Sequence, residues 1–243
     1  MRCAVYVEGK AEMLFVADVL SKYSNYDPKR VGFRCINLNS DDFQPINHPS
    51  QGDDSAAFYY QIVNVNNDKR VISKLKQDIP NLVKKDFKII IGLRDVYGSD
   101  YDAISTKPRV IDCKLIAKMH KAQSEQIRTE GVDTRLHFAI MEYETWMMAL
   151  LDNYIVSKGK NPEEVFEASG VDYNSDFENI VYHPYDKVQK IFKQIGAAYG
   201  KHEGEDMSFL SNVRTEDYET LRNSGRCASF KSFIESLLPE ELL

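Results

Sequence analysis

Apolar residues in the first 150 positions come in short runs separated by segments of helical periodicity. Residues 2–7 form a nearly unbroken apolar run and predict a buried strand. Gly9 then turns the chain into a predicted helix over about 10–22. Ala11, Leu14, Phe15 and Val19 share one face of it, Asp18 interrupts that face, and Met13, Val16 and Leu20 add apolar surface elsewhere. Residues 31–38 predict a second strand. Residues 39–57 are rich in Asp, Asn, Pro, Ser and Gly and read as a long surface loop. A strand is predicted over 58–65, and a helix over 69–85 that Pro80 breaks or kinks. The run 87–93 is the most strongly apolar of all. A polar loop over 94–109, closed by Pro108, leads to a helix over 110–130, a strand over 135–141 and a helix starting near Tyr143.

Strands alternating with helices predict an α/β fold with a mostly parallel sheet flanked by helices. Beyond residue 153 the strand signal fades, and 162–168, 185–199, 217–223 and 229–238 all read as helical. The expected organisation is an α/β core over 1–152 with a C-terminal helical extension, 153–243, packed on it.

Three of the predicted strands run into carboxylates. Residues 2–7 lead to Glu8, 87–93 lead past Arg94 to Asp95, and 135–141 lead to Glu142, with Glu144 two residues on. Open α/β sheets bind ligands at the carboxyl ends of their strands. If these strands are parallel neighbours, their acids share one rim. Carboxylates ~4 Å apart repel by ~4 kcal/mol at an effective dielectric of about 20, so a cluster of this kind needs a proton or a cation. Mg²⁺ or Mn²⁺ is the expected cation, since both prefer oxygen ligands.

Composition narrows the alternatives. A hydrophobic fraction of 43% and a charged fraction of 28% belong to an ordinary globular chain. No run reaches the ~18 apolar residues of a membrane span, and a strand at the very start leaves no room for a signal sequence, so a cytoplasmic protein is expected. Cys3, Cys35, Cys113 and Cys227 show no C-x-x-C pair, and the five histidines show no metal-ligand spacing. Structural zinc, a disulfide framework and zinc-hydrolase chemistry are all disfavoured. A net charge of −6 argues against coating nucleic acid through bulk positive charge, while leaving room for a local basic surface.

Each acidic segment has a plainer explanation beside the functional one. Glu12 falls in the first turn of a helix, where it also serves the helix dipole. Lys10 does not make a phosphate loop, because G-x-x-x-x-G-K-[ST] is absent. Asp95, Asp100 and Asp102 lie on one loop with Gly98 between them, and turn aspartates would look similar. Glu142 and Glu144 also suit a helix start, and Trp146 with Met147, Leu150 and Leu151 reads as core. Lys114, Lys118, Lys121 and Arg128 form a basic stripe beside Ile111, Leu115, Met119 and Ala122; it is either a solvated face or a guide for a polyanion. Near the C-terminus, Lys201 follows Tyr199-Gly200, and Ser229 stands where it could cap the last helix.

Together these segments resemble the Toprim fold, the metal-binding domain of topoisomerases, primases and overcoming-lysogenization-defect (OLD) nucleases. Glu8-Gly9 with Glu12 matches its first motif, and Asp95 matches the first acid of its second. The pattern's next acid would fall at residue 97, which is Tyr97 here, leaving Asp100 or Asp102 as substitutes. Over most of its length the chain is also similar to bacterial domain of unknown function family 4276. The matching residues are Glu8, Gly9 and Glu12, then Glu142, Glu144 and Trp146, then Arg226 and Phe230. That resemblance implies a Toprim-like protein of phage-defence settings with an ATPase partner.

The leading expectation is a divalent-metal-dependent nuclease acting on DNA or RNA phosphodiesters. Two metal ions would stabilise the attacking and leaving oxygens. Glu8, Asp95 and Glu142 are the expected catalytic metal ligands, with Glu12, Asp100, Asp102 and Glu144 as second-metal or supporting groups. Family analogy adds Lys201 as a stabiliser of phosphate charge. Two alternatives stay open: a non-catalytic regulatory subunit of an ATPase, and a small-nucleotide phosphohydrolase or synthase. The sequence leaves the oligomeric state open.

Overall fold

The computed structural model describes residues 1–39, 42–67, 70–106 and 109–243, apart from the side chains of Ser99 and Asp100. Its strands are β1 (Arg2–Val7), β2 (Val31–Asn39), β3 (Asp42–Gln51), β4 (Phe58–Asn64), β5 (Ile89–Asp95) and β6 (Asp133–Ala139). The longer helices of the first half are α1 (Lys10–Tyr23), α2 (Arg70–Lys84) and α4 (Cys113–Ile127), with a short α3 (Ser99–Ile104) between the last two. Then come α5 (Glu144–Ala149), α6 (Asp152–Ser157), α7 (Pro162–Ala168), α8 (Phe177–Ile180), α9 (Pro184–Gln194), α10 (Glu203–Leu210), α11 (Thr215–Ser224) and α12 (Ala228–Leu237).

Among the described residues six strands form one sheet in the order β3-β2-β4-β1-β5-β6. β1 pairs in parallel with β4 and β5, β2 pairs in parallel with β4, and β3 runs antiparallel to β2 at the edge. β6 follows the direction of β5, because Asp133 N–H donates to Lys88 O at one end and Val96 N–H donates to Ala139 O at the other. The fold is therefore α/β with a mostly parallel sheet flanked by helices, and β1, β5 and β6 are neighbours.

The backbone falls into two compact units. The first comprises residues 1–94, 117–138 and 235–243; the second comprises 95–116 and 139–234. The first unit holds the sheet. Residues Cys3 to Val7 of β1 are at most 1% exposed, which means both faces of the central strand are covered. α2 lies on one face, where Gly92 of β5 allows a close approach: a Cβ there would sit 2.7 Å from Leu75 Cδ1. The C-terminal residues belong to this unit too, with Leu237 O accepting from Tyr60 Oη and Ser236 O from Arg135. In the second unit the indole of Trp146 stacks on Phe233 and meets the edge of Phe230, and its N–H donates to Ser229 Oγ. Ser229 Oγ in turn donates to Glu178, so it bonds across the unit.

Several local expectations change. The segment read as a long loop contains β3, a ten-residue edge strand that is mostly exposed and carries Pro45 and Pro49. Proline and polar residues are tolerated on an edge, where one side of the backbone faces solvent, so composition alone hides such a strand. α2 continues through Pro80 as a single element. The polar loop after β5 holds the one-and-a-half-turn α3, and α6, α8 and α10 are helices the periodicity did not mark. On α4 the buried side chains are Ile116, Met119 and Ile127, while Lys114, Lys118, Lys121 and Ala122 are exposed. No helix among the described residues is long and apolar enough to cross a membrane.

Close approach at one glycine gives a stability test. A Cβ on Gly32 of β2 would lie 2.2 Å from the backbone oxygen of Asp53, so the turn after β3 would have to move. Gly32→Ala is expected to destabilise the protein by about 1–3 kcal/mol, read as a lower urea midpoint. An unchanged midpoint would contradict that packing.

Candidate functional site

Backbone bonding continues past the ends of β5 and β6 and brings the acids of the second unit together. Tyr97 N–H donates to Met141 O at 2.6 Å. Met141 itself has φ +63°, in the left-handed region that non-glycine residues rarely occupy. The chain then turns through Glu142 and Tyr143 into α5. Asp95, 8% exposed, accepts from Tyr143 N–H through Oδ1 at 2.9 Å, satisfying a donor at the head of that helix. Glu142 Oε2 does the same for Tyr185 N–H at the start of α9, at 3.0 Å.

Lys201 joins these acids. Its Nζ lies 2.9 Å from Glu144 Oε1 and 3.6 Å from Glu142 Oε1, and it sits 5.0 Å above the Tyr185 ring. Its own φ is +59°, so the cluster is flanked by two strained backbone positions, Met141 and Lys201. Strain of this sort, about 1–3 kcal/mol per residue, is kept where surrounding contacts over-determine it, and it concentrates at functional sites. The first opposing influence on the Lys201 ammonium is its own desolvation. The negative charges of Glu144, Glu142 and Asp95 outweigh it and hold the lysine more firmly protonated than usual.

Behind Lys201 lies a buried acidic pair. The Glu144 side chain is 2% exposed, and burial raises its pKa above the ordinary carboxylate value despite the lysine. Tyr199 Oη stands 3.2 Å from both Glu144 Oε1 and Asp206 Oδ1. The phenol has one proton and can donate to only one of them at a time. Asp206, also buried, is pushed up to about 6 by desolvation, with the Tyr199 hydrogen bond opposing and the charges of Glu144 and Glu205 adding to the rise. The second oxygen of Glu144, Oε2, is buried with no hydrogen-bond partner. Among the described residues, two carboxylates thus flank the Lys201 ammonium, and a third, Asp206, stands behind them on Tyr199.

An aromatic group borders the acids. Tyr97 meets Tyr182 and His183 edge to face, with centroids 5.9 and 5.3 Å away, and Tyr182 and His183 are 4.8 Å apart. All three rings are partly exposed. Tyr97 is two residues beyond Asp95, while Tyr182 and His183 lead directly into the Tyr185 N–H that binds Glu142.

The structure therefore places Asp95, Glu142, Glu144 and Lys201 in one group of the second unit. Asp102 accepts from Tyr182 Oη at 3.0 Å, at the aromatic border. The side chain of Asp100 lies outside the described residues. Glu8 and Glu12 belong to the first unit, at the β1–α1 turn. There a Cβ on Gly9 would lie 2.9 Å from Glu12 Oε2, so glycine lets that carboxylate fold back over the helix start. Sequence reasoning missed Asp206, Tyr199 and the aromatic border. Nothing local singles out Asp206, but the run Tyr182-His183-Pro184-Tyr185 was a visible aromatic signal.

Carboxylate oxygens are the donors that Mg²⁺ or Mn²⁺ prefers, and an orphaned buried oxygen such as Glu144 Oε2 is what a cation would satisfy. By donor type the residues fit a hard divalent ion. In the present arrangement Lys201 supplies the positive charge, and no group of three or more His, Cys, Asp or Glu side chains among the described residues stands ready to hold a metal. No family model, curated protein or solved structure matches the chain.

The raised Asp206 pKa has a definite sign. Its carboxyl binds a proton more tightly in the folded protein, so the associated stability is complete below its usual value of 3.8 and is lost as pH rises through about 6. The cost at neutral pH is on the order of 1–3 kcal/mol. Asp206→Asn removes this slope: the melting-temperature advantage of the wild type over the variant is expected to shrink or reverse between pH 5 and pH 8. A constant difference across that range would refute a protonated Asp206.

Proposed function

We propose that the chain is a Toprim-like, divalent-metal-dependent phosphodiesterase acting on single-stranded nucleic acid. The observation that carries this reading is the buried Oε2 of Glu144, without a partner among the described residues, in a group whose described carboxylates outnumber the cations that pair with them. The fold supports it through a mostly parallel sheet, a Glu8-Gly9 turn after β1 and Asp95 as the last residue of β5.

Asp95, Glu142 and Glu144 would hold the ion. When bound, it supplies Lewis-acid polarisation of the phosphate and a more acidic attacking water. The chain's own residues do the rest. Tyr143 N–H and Tyr185 N–H fix the orientation of Asp95 and Glu142. Tyr199 steers Glu144 from behind. Lys201, 42% exposed at its side chain, is the group that would turn outward to bind a phosphate oxygen if another cation neutralised the glutamates that now hold it. Tyr97, Tyr182 and His183 offer ring surface to unpaired bases, a contact worth about 1–3 kcal/mol per base and indifferent to sequence. That border favours a polymer over a free nucleotide.

One observation favours a second reading. Lys201 already sits 2.9 Å from Glu144, and a lysine-neutralised cluster also suits a non-catalytic subunit that needs no metal.

Thermal melts and cleavage assays separate the two. With millimolar Mn²⁺ the wild type is expected to gain several degrees, whereas Glu142→Gln and Glu144→Gln gain less than half as much. Cleavage of a labelled single strand should fall by about 100-fold or more in both variants. Equal metal-induced shifts in all three proteins, with no cleavage by any, would overturn the metal-enzyme reading.

A further inference from the structure

A cleft of about 230 Å³ opens in the first unit between the sheet and α2. Sheet register explains its floor. Arg34 of β2 is level with Gln61 of β4, and Ile36 is level with Val63, which is in turn level with Tyr6 of β1. On β3, Pro45 is opposite Ile36 and Phe43 opposite Leu38, so alternate side chains of four strands share this face. α2 supplies Asp78 and Leu82 at helical spacing, with Asn81 beside them, and Lys85 follows just beyond its end. The ladder is irregular between Arg34 and Cys35, beside the cleft-lining Arg34.

The polar groups divide into those already satisfied and those still available. Asp78 is 7% exposed, and both of its oxygens are taken: Oδ2 accepts from Tyr6 Oη at 2.9 Å, and Oδ1 lies 3.2 Å from Lys74 Nζ. Lys74, 4% exposed, also sits 4.9 Å over the ring of Phe43, one of the residues that line the cleft. This buried triad neutralises itself and is too costly to arise as decoration, since each charge gives up its hydration. What remains is positive. Arg34 makes one hydrogen bond, to Gln61 Oε1 at 2.7 Å, leaving its other guanidinium donors without partners among the described residues. The Gln61 amide N–H₂, the Asn81 amide and the Lys85 ammonium likewise have no side-chain partner there. Two cations and two amide donors thus stand over an apolar floor of Tyr6, Ile36, Phe43 and Leu82. Among the described residues, no uncompensated carboxylate lines the cleft.

We propose that this cleft binds a small aryl anion, a flat ring bearing one carboxylate or phosphate. The ring lies against Phe43, Ile36 and Leu82, and the anionic group takes the fork of Arg34 and the ammonium of Lys85. Arg is the residue suited to this, because its planar donors meet two oxygens at once. Gln61 and Asn81 complete the oxygen shell. Pockets of this kind are mostly apolar, with a few placed polar groups that set orientation. The site is independent of the carboxylate cluster and of the function proposed for it.

Titration by ¹H–¹⁵N NMR tests the inference directly, using phenyl phosphate and benzoate as probes and neutral benzamide as the control. Saturable shifts are expected at the side-chain amides of Gln61 and Asn81 with at least one anion and not with benzamide. Arg34→Ala and Lys85→Ala, both at exposed positions that leave the core intact, should each weaken that binding at least tenfold; Phe43→Ala should weaken it with the charges still in place. Preference between the two anions would identify the acidic group. Equal affinity for benzamide, unchanged affinity in Arg34→Ala, or no saturable shift with either anion would overturn the proposal.

Discussion

The cost of taking negative charge out of water governs the second unit. Glu144 and Asp206 are almost fully buried, Glu142 is nearly so, and the cation in reach is Lys201. Burying ionised carboxylates costs several kcal/mol each unless a partner returns that energy. The cluster meets the cost in three ways: the ammonium between two glutamates, helix-start N–H groups on Glu142 and Asp95, and a proton held by Asp206 to about pH 6. Even so, one oxygen of Glu144 stays without a donor. An arrangement selected for stability alone would replace such a group with apolar side chains of similar volume. That unmet oxygen is the physical argument for a missing cation.

Local strain points the same way. Met141 immediately precedes Glu142, and both Met141 and Lys201 adopt left-handed backbone conformations without being glycine. The turn at Met141 aims Glu142 toward α9, and the turn at Lys201 returns its side chain to the glutamates. The two strained residues hold the two halves of the ion pair. The aromatic border follows from the same local chain path, since Tyr97 continues the β5 ladder to Met141 and Tyr182-His183 precedes the helix whose first N–H binds Glu142.

Much of this was legible in the sequence, because the signals are local. Apolar runs marked β1, β5 and β6, and of the acids that follow them Asp95 and Glu142 fall in the group around Lys201, while Glu8 belongs to the first unit. Alternation with helices implied a mostly parallel sheet. β3 escaped because an exposed edge strand need carry no apolar pattern, and Pro45 and Pro49 read as loop. Lys201 was singled out for a phosphate, yet its observed partners are Glu142 and Glu144. Asp206 could not be found, and Tyr199 was noted only as the neighbour of Lys201, since the importance of both comes from Glu144, more than fifty residues earlier. The cleft of the first unit was hidden for the same reason: Arg34, Gln61 and Asn81 are ordinary surface-type residues until sheet register and α2 place them around one space.

The central claim is that the carboxylates around Lys201 form a cation site which the lysine fills only by default. A crystal soaked in Mn²⁺ and measured at the manganese absorption edge tests it most directly. The account predicts an anomalous peak bonded to oxygens of Glu142 and Glu144, with the Lys201 ammonium withdrawn from Glu144. Lys201 still bridging both glutamates, with no manganese near them at saturating concentration, would contradict it.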